Sequence, residues 1–146
     1  MPLTRMIYSS RPIAFSEVVL RDILGTAQRR NIEDSISGCL LCREDIYLQL
    51  LEGPRAAVDR VYDSIRADPR HKAVMQLLYE TAGERMFAGW SMRTDMLRSH
   101  MWSAEQVAES DVEASSRGEL LKAFEQMVPP RPPDELLASP APDVPT

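Results

Sequence analysis

Two apolar segments near the middle of the chain constrain its fold more than any other feature of the sequence. They run from Ser37 to Cys42 and from Ile46 to Glu52, and the charged tripeptide Arg43-Glu44-Asp45 separates them. Short apolar runs joined by a polar turn are typical of buried β-strands. We therefore expect a β-hairpin, around which the other elements must be arranged.

Strand and helix patterns occur on both sides of this hairpin. Before it, we predict a strand from Leu3 to Ser9 and a helix from its N-cap Ser16 to Arg30. After it, we predict a helix from Pro54 to Asp68, then strands from Val74 to Thr81 and from Phe87 to Arg93. The order β-α-β-β-α-β with an extra fifth strand predicts a ferredoxin-like α+β fold, in which two helices cover one face of a mostly antiparallel sheet.

The residues after this pattern supply a cover for the other face of the sheet. Ser103 and Ser116 are followed three residues later by Gln106 and Glu119, the pattern of a capping box at a helix N-terminus. We expect a helical extension over residues 96–128 that packs on the bare face. Beyond it, residues 129–146 hold seven of the 11 prolines and are expected to form an extended, largely disordered tail.

Length and charge exclude several classes of protein. The 146 residues suit a single domain, and the formal net charge of −5 provides no cationic excess, so we expect no direct binding of nucleic acid. No apolar run approaches the roughly 20 residues of a membrane span, and no signal peptide is recognisable. Two cysteines are too few for a secreted disulfide framework. We therefore expect a cytoplasmic protein without membrane association.

Residues suited to metal or phosphate chemistry are scarce. Cys39 and Cys42 have the spacing of half a zinc site, but no second pair accompanies them, and residues three apart on a strand point to opposite faces. We expect two buried thiols and no metal. None of the six glycines forms a phosphate-binding motif. The carboxylates Glu44, Asp45 and Glu52 lie at strand ends, where we expect them to be solvated.

Gln49 is unusual because it lies in the middle of the most apolar predicted strand. Leaving a buried amide unpaired costs about 1–3 kcal/mol, so Gln49 needs partners. Tyr8, on the strand expected beside it, and Asn31 are the candidates. The three side chains could form a polar network in the core, or they could bind the polar edge of a flat heteroaromatic ligand between the helices, with Ile23 and Ile65 as apolar walls.

Several segments also match one known family in the same order along the chain. The sequence resembles the BLUF domain, a flavin-binding sensor of blue light, from Leu3 to about Thr94. The matching segments are Ile7-Tyr8-Ser9-Ser10, Asn31, Ser37-Gly38-Cys39-Leu40, Tyr47-Leu48-Gln49-Leu50-Leu51-Glu52-Gly53, Asp68-Pro69-Arg70-His71 and Phe87-Ala88-Gly89-Trp90-Ser91-Met92. This combination is far more specific than any single motif, and it favours the ligand-binding interpretation.

The resemblance implies a photosensor domain over residues 1–95 that holds a flavin non-covalently between its two helices. Gln49 and Asn31 would hydrogen-bond the edge of the ring, and Tyr8 would contact Gln49. In the family, the tyrosine gives an electron to the excited flavin and a proton follows through the glutamine. The glutamine is left in a changed tautomer or orientation, which reverses the donor and acceptor that it presents.

The resemblance also assigns residues around the rest of the flavin. Asp68, Arg70 and His71 match the region near the ribityl chain and phosphate, and the stem of Arg30 would lie along the flavin. The expected cofactor is FAD, with FMN and riboflavin as alternative forms.

Trp90 and Met92 match the residues that transmit the signal in the family. They are two residues apart on the predicted fifth strand and would share one face, so only one of them could occupy the position beside Gln49. We expect a signalling photoreceptor without an effector domain and not an enzyme. Its output would pass through the C-terminal helices to an unidentified protein partner or to a homo-oligomer. The alternatives are a flavin-dependent oxidoreductase and a flavin-free protein-interaction module.

Overall fold

The computed structural model describes residues 3–98 and 101–127, except for the side chains of residues 30, 32 and 33. Its elements are β1 (Leu3–Pro12), α1 (Glu17–Asp34), β2 (Ser37–Arg43), β3 (Ile46–Gly53), α2 (Arg55–Arg66), β4 (His71–Ala82), β5 (Arg93–Met96), α3 (Ala104–Ala108) and α4 (Arg117–Glu125). Residue 128 and the predicted tail lie outside the described residues. Within the described part, no helix is long and apolar enough to cross a membrane.

The five strands form one sheet in the order β4-β1-β3-β2-β5. β3 pairs antiparallel with β1 and β2, β1 pairs antiparallel with β4, and β2 pairs parallel with β5. The predicted ferredoxin-like α+β architecture is confirmed. Because β1 and β3 are neighbours at the centre of the sheet, Tyr8 lies directly opposite Gln49.

Alternation of side chains along the strands separates two hydrophobic cores. The first lies between the sheet and the helices α1 and α2, and the second lies between the sheet and the C-terminal helices. The first includes Met6, Leu51, Val58, Val61 and Ile65, and the second includes Ile7, Leu48, Leu50, Leu120 and Phe124. Cys39 belongs to the second core and Cys42 to the first, as their spacing predicts. Burial raises the pKa of the Cys42 thiol to about 11.

Local capping signals also agree with the structure. The Ser16 hydroxyl accepts a hydrogen bond from a backbone N–H in the first turn of α1, and both predicted capping boxes, at Ser103 and Ser116, are formed. α1 continues to Asp34, one turn beyond its predicted end. Asn31 is therefore a helical residue, and its backbone is fixed by the helix.

The prediction of a fifth strand over Phe87 to Arg93 is wrong. β5 covers Arg93–Met96 instead. Gly89 has a φ of 85°, in a left-handed region that strands do not use, and a buried carboxylate holds the segment as a loop. Trp90 and Met92 lie in this loop, so they are not on one face of a strand.

That carboxylate belongs to Glu52, at the end of β3. It is fully buried, so the expectation that Glu52 is solvated is wrong, whereas the other two carboxylates named with it are partly or fully exposed. Its oxygens accept hydrogen bonds from the backbone N–H of Met86 at 2.9 Å and of Phe87 at 2.7 Å, and from the Ser37 hydroxyl at 3.0 Å. Glu52 thus fastens the loop between β4 and β5 to the central strand.

Candidate functional site

The centre of the candidate site is a chain of hydrogen bonds through Gln49. Tyr8 Oη donates to Gln49 Oε1, and Gln49 Nε2 donates to Met92 Sδ at 3.2 Å. All three side chains are buried. The surrounding low dielectric strengthens these bonds, which together fix the orientation of the amide.

Asn31, the third side chain predicted with Tyr8 and Gln49, is fully buried on α1. Its Nδ2 donates to the backbone carbonyl of Ser91 at 2.9 Å, in the loop that also carries Met92. Its Oδ1 has no hydrogen-bond partner within residues 3–98 and 101–127. An unsatisfied buried carbonyl oxygen costs about 1–3 kcal/mol, so a ligand that donates a hydrogen bond there would be stabilised.

A cleft between α1, α2 and the sheet opens beside Gln49. Its empty volume, including its mouth, is about 420 Å³. Its lining residues are Tyr8, Ile23, Thr26, Ala27, Leu40, Tyr47, Gln49, Ile65, Asp68, Arg70 and His71. The predicted apolar walls Ile23 and Ile65 are therefore both in the cleft. The sequence did not identify Tyr47, although it lies two residues before Gln49 on the same face of β3.

The charged residues at the cleft are already engaged with the protein. Arg70 forms paired hydrogen bonds with Asp68 at 2.6 to 3.0 Å. Burial opposes ionisation of the Asp68 carboxyl, but the hydrogen bonds from Arg70 outweigh it and lower its pKa. His71 Nε2 donates to the Ile65 carbonyl at 2.8 Å, because a carbonyl oxygen can only accept, and Nδ1 lies 2.7 Å from the Ser10 hydroxyl.

The structure separates the two residues predicted to transmit a signal. Met92 belongs to the first core and contacts Gln49. Trp90 is half-buried against the second core, and the Arg93 guanidinium lies 5.4 Å from the centre of its ring. Met92, not Trp90, therefore occupies the position beside Gln49. The side chain of Arg30 is outside the described part of the structure.

A second polar cluster connects the C-terminal region to β1, and no local sequence pattern predicted it. Ser9 follows Tyr8 and points to the opposite face, where its hydroxyl donates to Glu113 at 2.5 Å. Arg11 donates to the same carboxylate at 3.0 Å and to the Val107 carbonyl at 3.2 Å. Burial alone would raise the pKa of Glu113, but the hydrogen bonds from Arg11 and Ser9 outweigh it and lower that pKa.

Comparison with known proteins agrees with this geometry. The family model for BLUF, sensors of blue-light using FAD, matches residues 3–93. The blue light- and temperature-regulated antirepressor BluF of Escherichia coli (strain K12) is 37% identical over 100 residues, 67% of this chain and 25% of that protein. The photoactivated adenylate cyclase subunit beta of Euglena gracilis is 38% identical over 91 residues, 62% of this chain and 10% of that protein. The chain thus spans a quarter or less of the length of these relatives.

Solved structures share the fold over a larger part of both chains. The dark-state structure of the BLUF protein BlrB has a TM-score of 0.71 at 28% identity and covers 87% of this chain and 95% of that chain. The photo-activated state of BlsA has a TM-score of 0.69 at 25% identity, covering 86% and 94% respectively. Because the family model matches most of the chain and includes the Tyr8–Gln49–Met92 centre, this chain belongs to the BLUF family of blue-light sensors that use flavin.

Proposed function

We propose that the cleft between α1 and α2 holds the flavin, with Gln49 and Asn31 at the edge of its ring. The unpartnered Oδ1 of Asn31, judged over the described residues, supports this placement, since it is a buried acceptor in need of a donor. The apolar side chains of Ile23 and Ile65 suit the faces of a flat ring. Tyr8 lines the same cleft and already contacts Gln49.

Tyr8 is the proposed electron donor in the light reaction. When bound, the flavin supplies the ring that absorbs blue light and accepts an electron and a proton. As Tyr8 gives up its electron, its phenolic proton moves to Gln49 Oε1, and a proton leaves Gln49 Nε2. An electron and a proton then return to Tyr8. No atom is gained or lost in the cycle, and Gln49 is left in a changed tautomer or orientation.

Met92 is the residue proposed to detect this change. Because a thioether sulfur accepts but cannot donate, Met92 favours the Gln49 orientation in which Nε2 faces Sδ. Rotation of the amide by half a turn would place Oε1 against Sδ and remove a bond worth about 0.5–1.5 kcal/mol. Met92 immediately precedes β5, so its displacement would move the edge of the sheet and, through the backbone, Trp90 two residues before it.

We propose that the output passes from the sensor, residues 1–95, through the C-terminal extension, residues 96–128, to a protein partner or a second copy of the chain. The hydrogen bond between Ser9 and Glu113 supports this route, because it joins the strand that carries Tyr8 to the segment between α3 and α4. Light is expected to change hydrogen exchange over residues 102–127. Identical exchange in light and darkness would contradict the proposed route.

The proposal for the light reaction rests on the hydrogen-bond chain through Gln49. The absorption spectrum of the purified protein tests it. The purified protein should be yellow, and blue light should shift its absorption reversibly to the red. Gln49→Leu should keep the flavin and lose the shift, because leucine cannot exchange hydrogen bonds. Gln76→Leu is the matched control, since Gln76 is exposed on β4. A normal shift in Gln49→Leu would overturn the mechanism.

The same preparation separates the other functions. A yellow protein that only bleaches would favour a flavin-dependent oxidoreductase, and a colourless protein would favour a flavin-free interaction module. We propose FAD as the bound form, supported by the flavin that the family's description names. Chromatography of the chromophore released by denaturation distinguishes FAD from FMN and riboflavin.

A further inference from the structure

We propose that Tyr47 is a further binding residue of the cleft, whose hydroxyl hydrogen-bonds the hydroxyl-bearing ribityl chain of the flavin. This inference rests on the proposed flavin site. Tyr47 lines the cleft and is 2% exposed. Its Oη is buried and has no hydrogen-bond partner among the residues that the structure describes.

A buried hydroxyl without a partner indicates a missing ligand group, because desolvating it is unfavourable unless a hydrogen bond replaces water. Two other tyrosines of the chain, the buried Tyr8 and the exposed Tyr79, have a hydrogen-bond partner within the protein. Tyr8 Oη donates to Gln49, and Tyr79 Oη donates to Asp59 at 2.8 Å. A phenylalanine would fill the space of the Tyr47 ring without the unpaired hydroxyl. The hydroxyl is therefore explained best by a ligand.

The position of Tyr47 indicates which part of the flavin it meets. Residues two apart on a strand lie on one face and roughly 7 Å apart, so Tyr47 and Gln49 contact different parts of one ligand. The Tyr47 ring lies 6.1 Å from that of His71 and 6.2 Å from that of the partly exposed Phe15. Tyr47 thus lies toward the mouth of the cleft, while Gln49 is placed at the edge of the ring.

The test compares two flavins that differ only in the chain. Wild-type and Tyr47→Phe proteins are loaded with riboflavin or with lumiflavin, which lacks the ribityl chain, and flavin release is followed by the recovery of its fluorescence. We expect Tyr47→Phe to release riboflavin about threefold to tenfold faster, the effect of one neutral hydrogen bond, and to release lumiflavin at the wild-type rate. Tyr79→Phe removes the same atom outside the cleft and should leave both rates unchanged.

Each other result has a defined meaning. Unchanged release of riboflavin, or equally faster release of both flavins, would overturn the assignment of Tyr47 to the ribityl chain. A lower melting temperature of flavin-free Tyr47→Phe than of the flavin-free wild type would also overturn it, because the hydroxyl would then have a partner within the protein. The proposed flavin site itself fails only if the wild type holds neither flavin, so the two failures are distinguishable.

Discussion

Replacing Glu52 by alanine is expected to lower the free energy of unfolding by about 3–5 kcal/mol, the range for removing one partner of a buried charged cluster. The Glu52 carboxylate is fully buried, and Arg5 Nε lies 3.9 Å from it. Without it, the backbone N–H groups of Met86 and Phe87 lose their acceptors. A loss of this size is a large part of the stability of a typical domain.

Glu52→Gln is the milder variant, because it keeps the shape of the side chain and one acceptor oxygen. Its amide group would face one of the two backbone N–H donors, so one hydrogen bond to a charged group, worth about 1.5–3 kcal/mol, is lost. We also expect an effect on the site, since the loop held by Glu52 places Met92 against Gln49. The variant should therefore show an altered rate of dark recovery after blue light.

The measurement is urea unfolding of the flavin-loaded protein, followed by circular dichroism and by flavin fluorescence. Glu44→Gln is the matched control, because Glu44 is exposed at the hairpin turn. Its free energy of unfolding should stay within about 0.5 kcal/mol of the wild type. If Glu52→Gln behaves like Glu44→Gln, the argument that a buried carboxylate fastens the loop is refuted.

Three further predictions test other parts of the structure. Because the pKa of Glu113 is lowered below its ordinary value of 4.5, the ionised carboxylate stabilises the fold above that value, and this stabilisation is lost as the pH falls through the lowered pKa. The melting temperature of Glu113→Gln should therefore depend less on pH in acid than that of the wild type. Equal pH dependence of the two melting temperatures would refute this role of Glu113. With a pKa of about 11, Cys42 should resist iodoacetamide at about pH 8 in the folded protein, as mass spectrometry would show. Met92→Leu removes the acceptor of Gln49 Nε2 and should slow dark recovery about threefold to tenfold. An unchanged rate would show that the hydrogen bond to Met92 does not assist recovery.

Much of the candidate site could be predicted from local sequence patterns. Period-two alternation places Tyr8 and Gln49 on the helix-covered face, and the apolar stripes of the two helices bring Ile23 and Ile65 to the same cleft. The burial of Tyr47 follows from the same alternation. The role proposed for it could not be predicted, because an apolar strand gives no indication that a hydroxyl within it has no partner among the described residues.

Local sequence patterns predicted the order of the elements, the two capping boxes and the alternation of faces along β1, β2 and β3. These follow from backbone periodicity and from hydrogen bonds between residues a few positions apart. Three features could be seen only in the folded chain: the start of β5, the contact of Met92 with Gln49, and the hydrogen bond from Ser9 to Glu113. Each of these depends on a hydrogen bond between residues distant in sequence. Such a bond exists only after the sheet has formed and buried groups must find partners inside it.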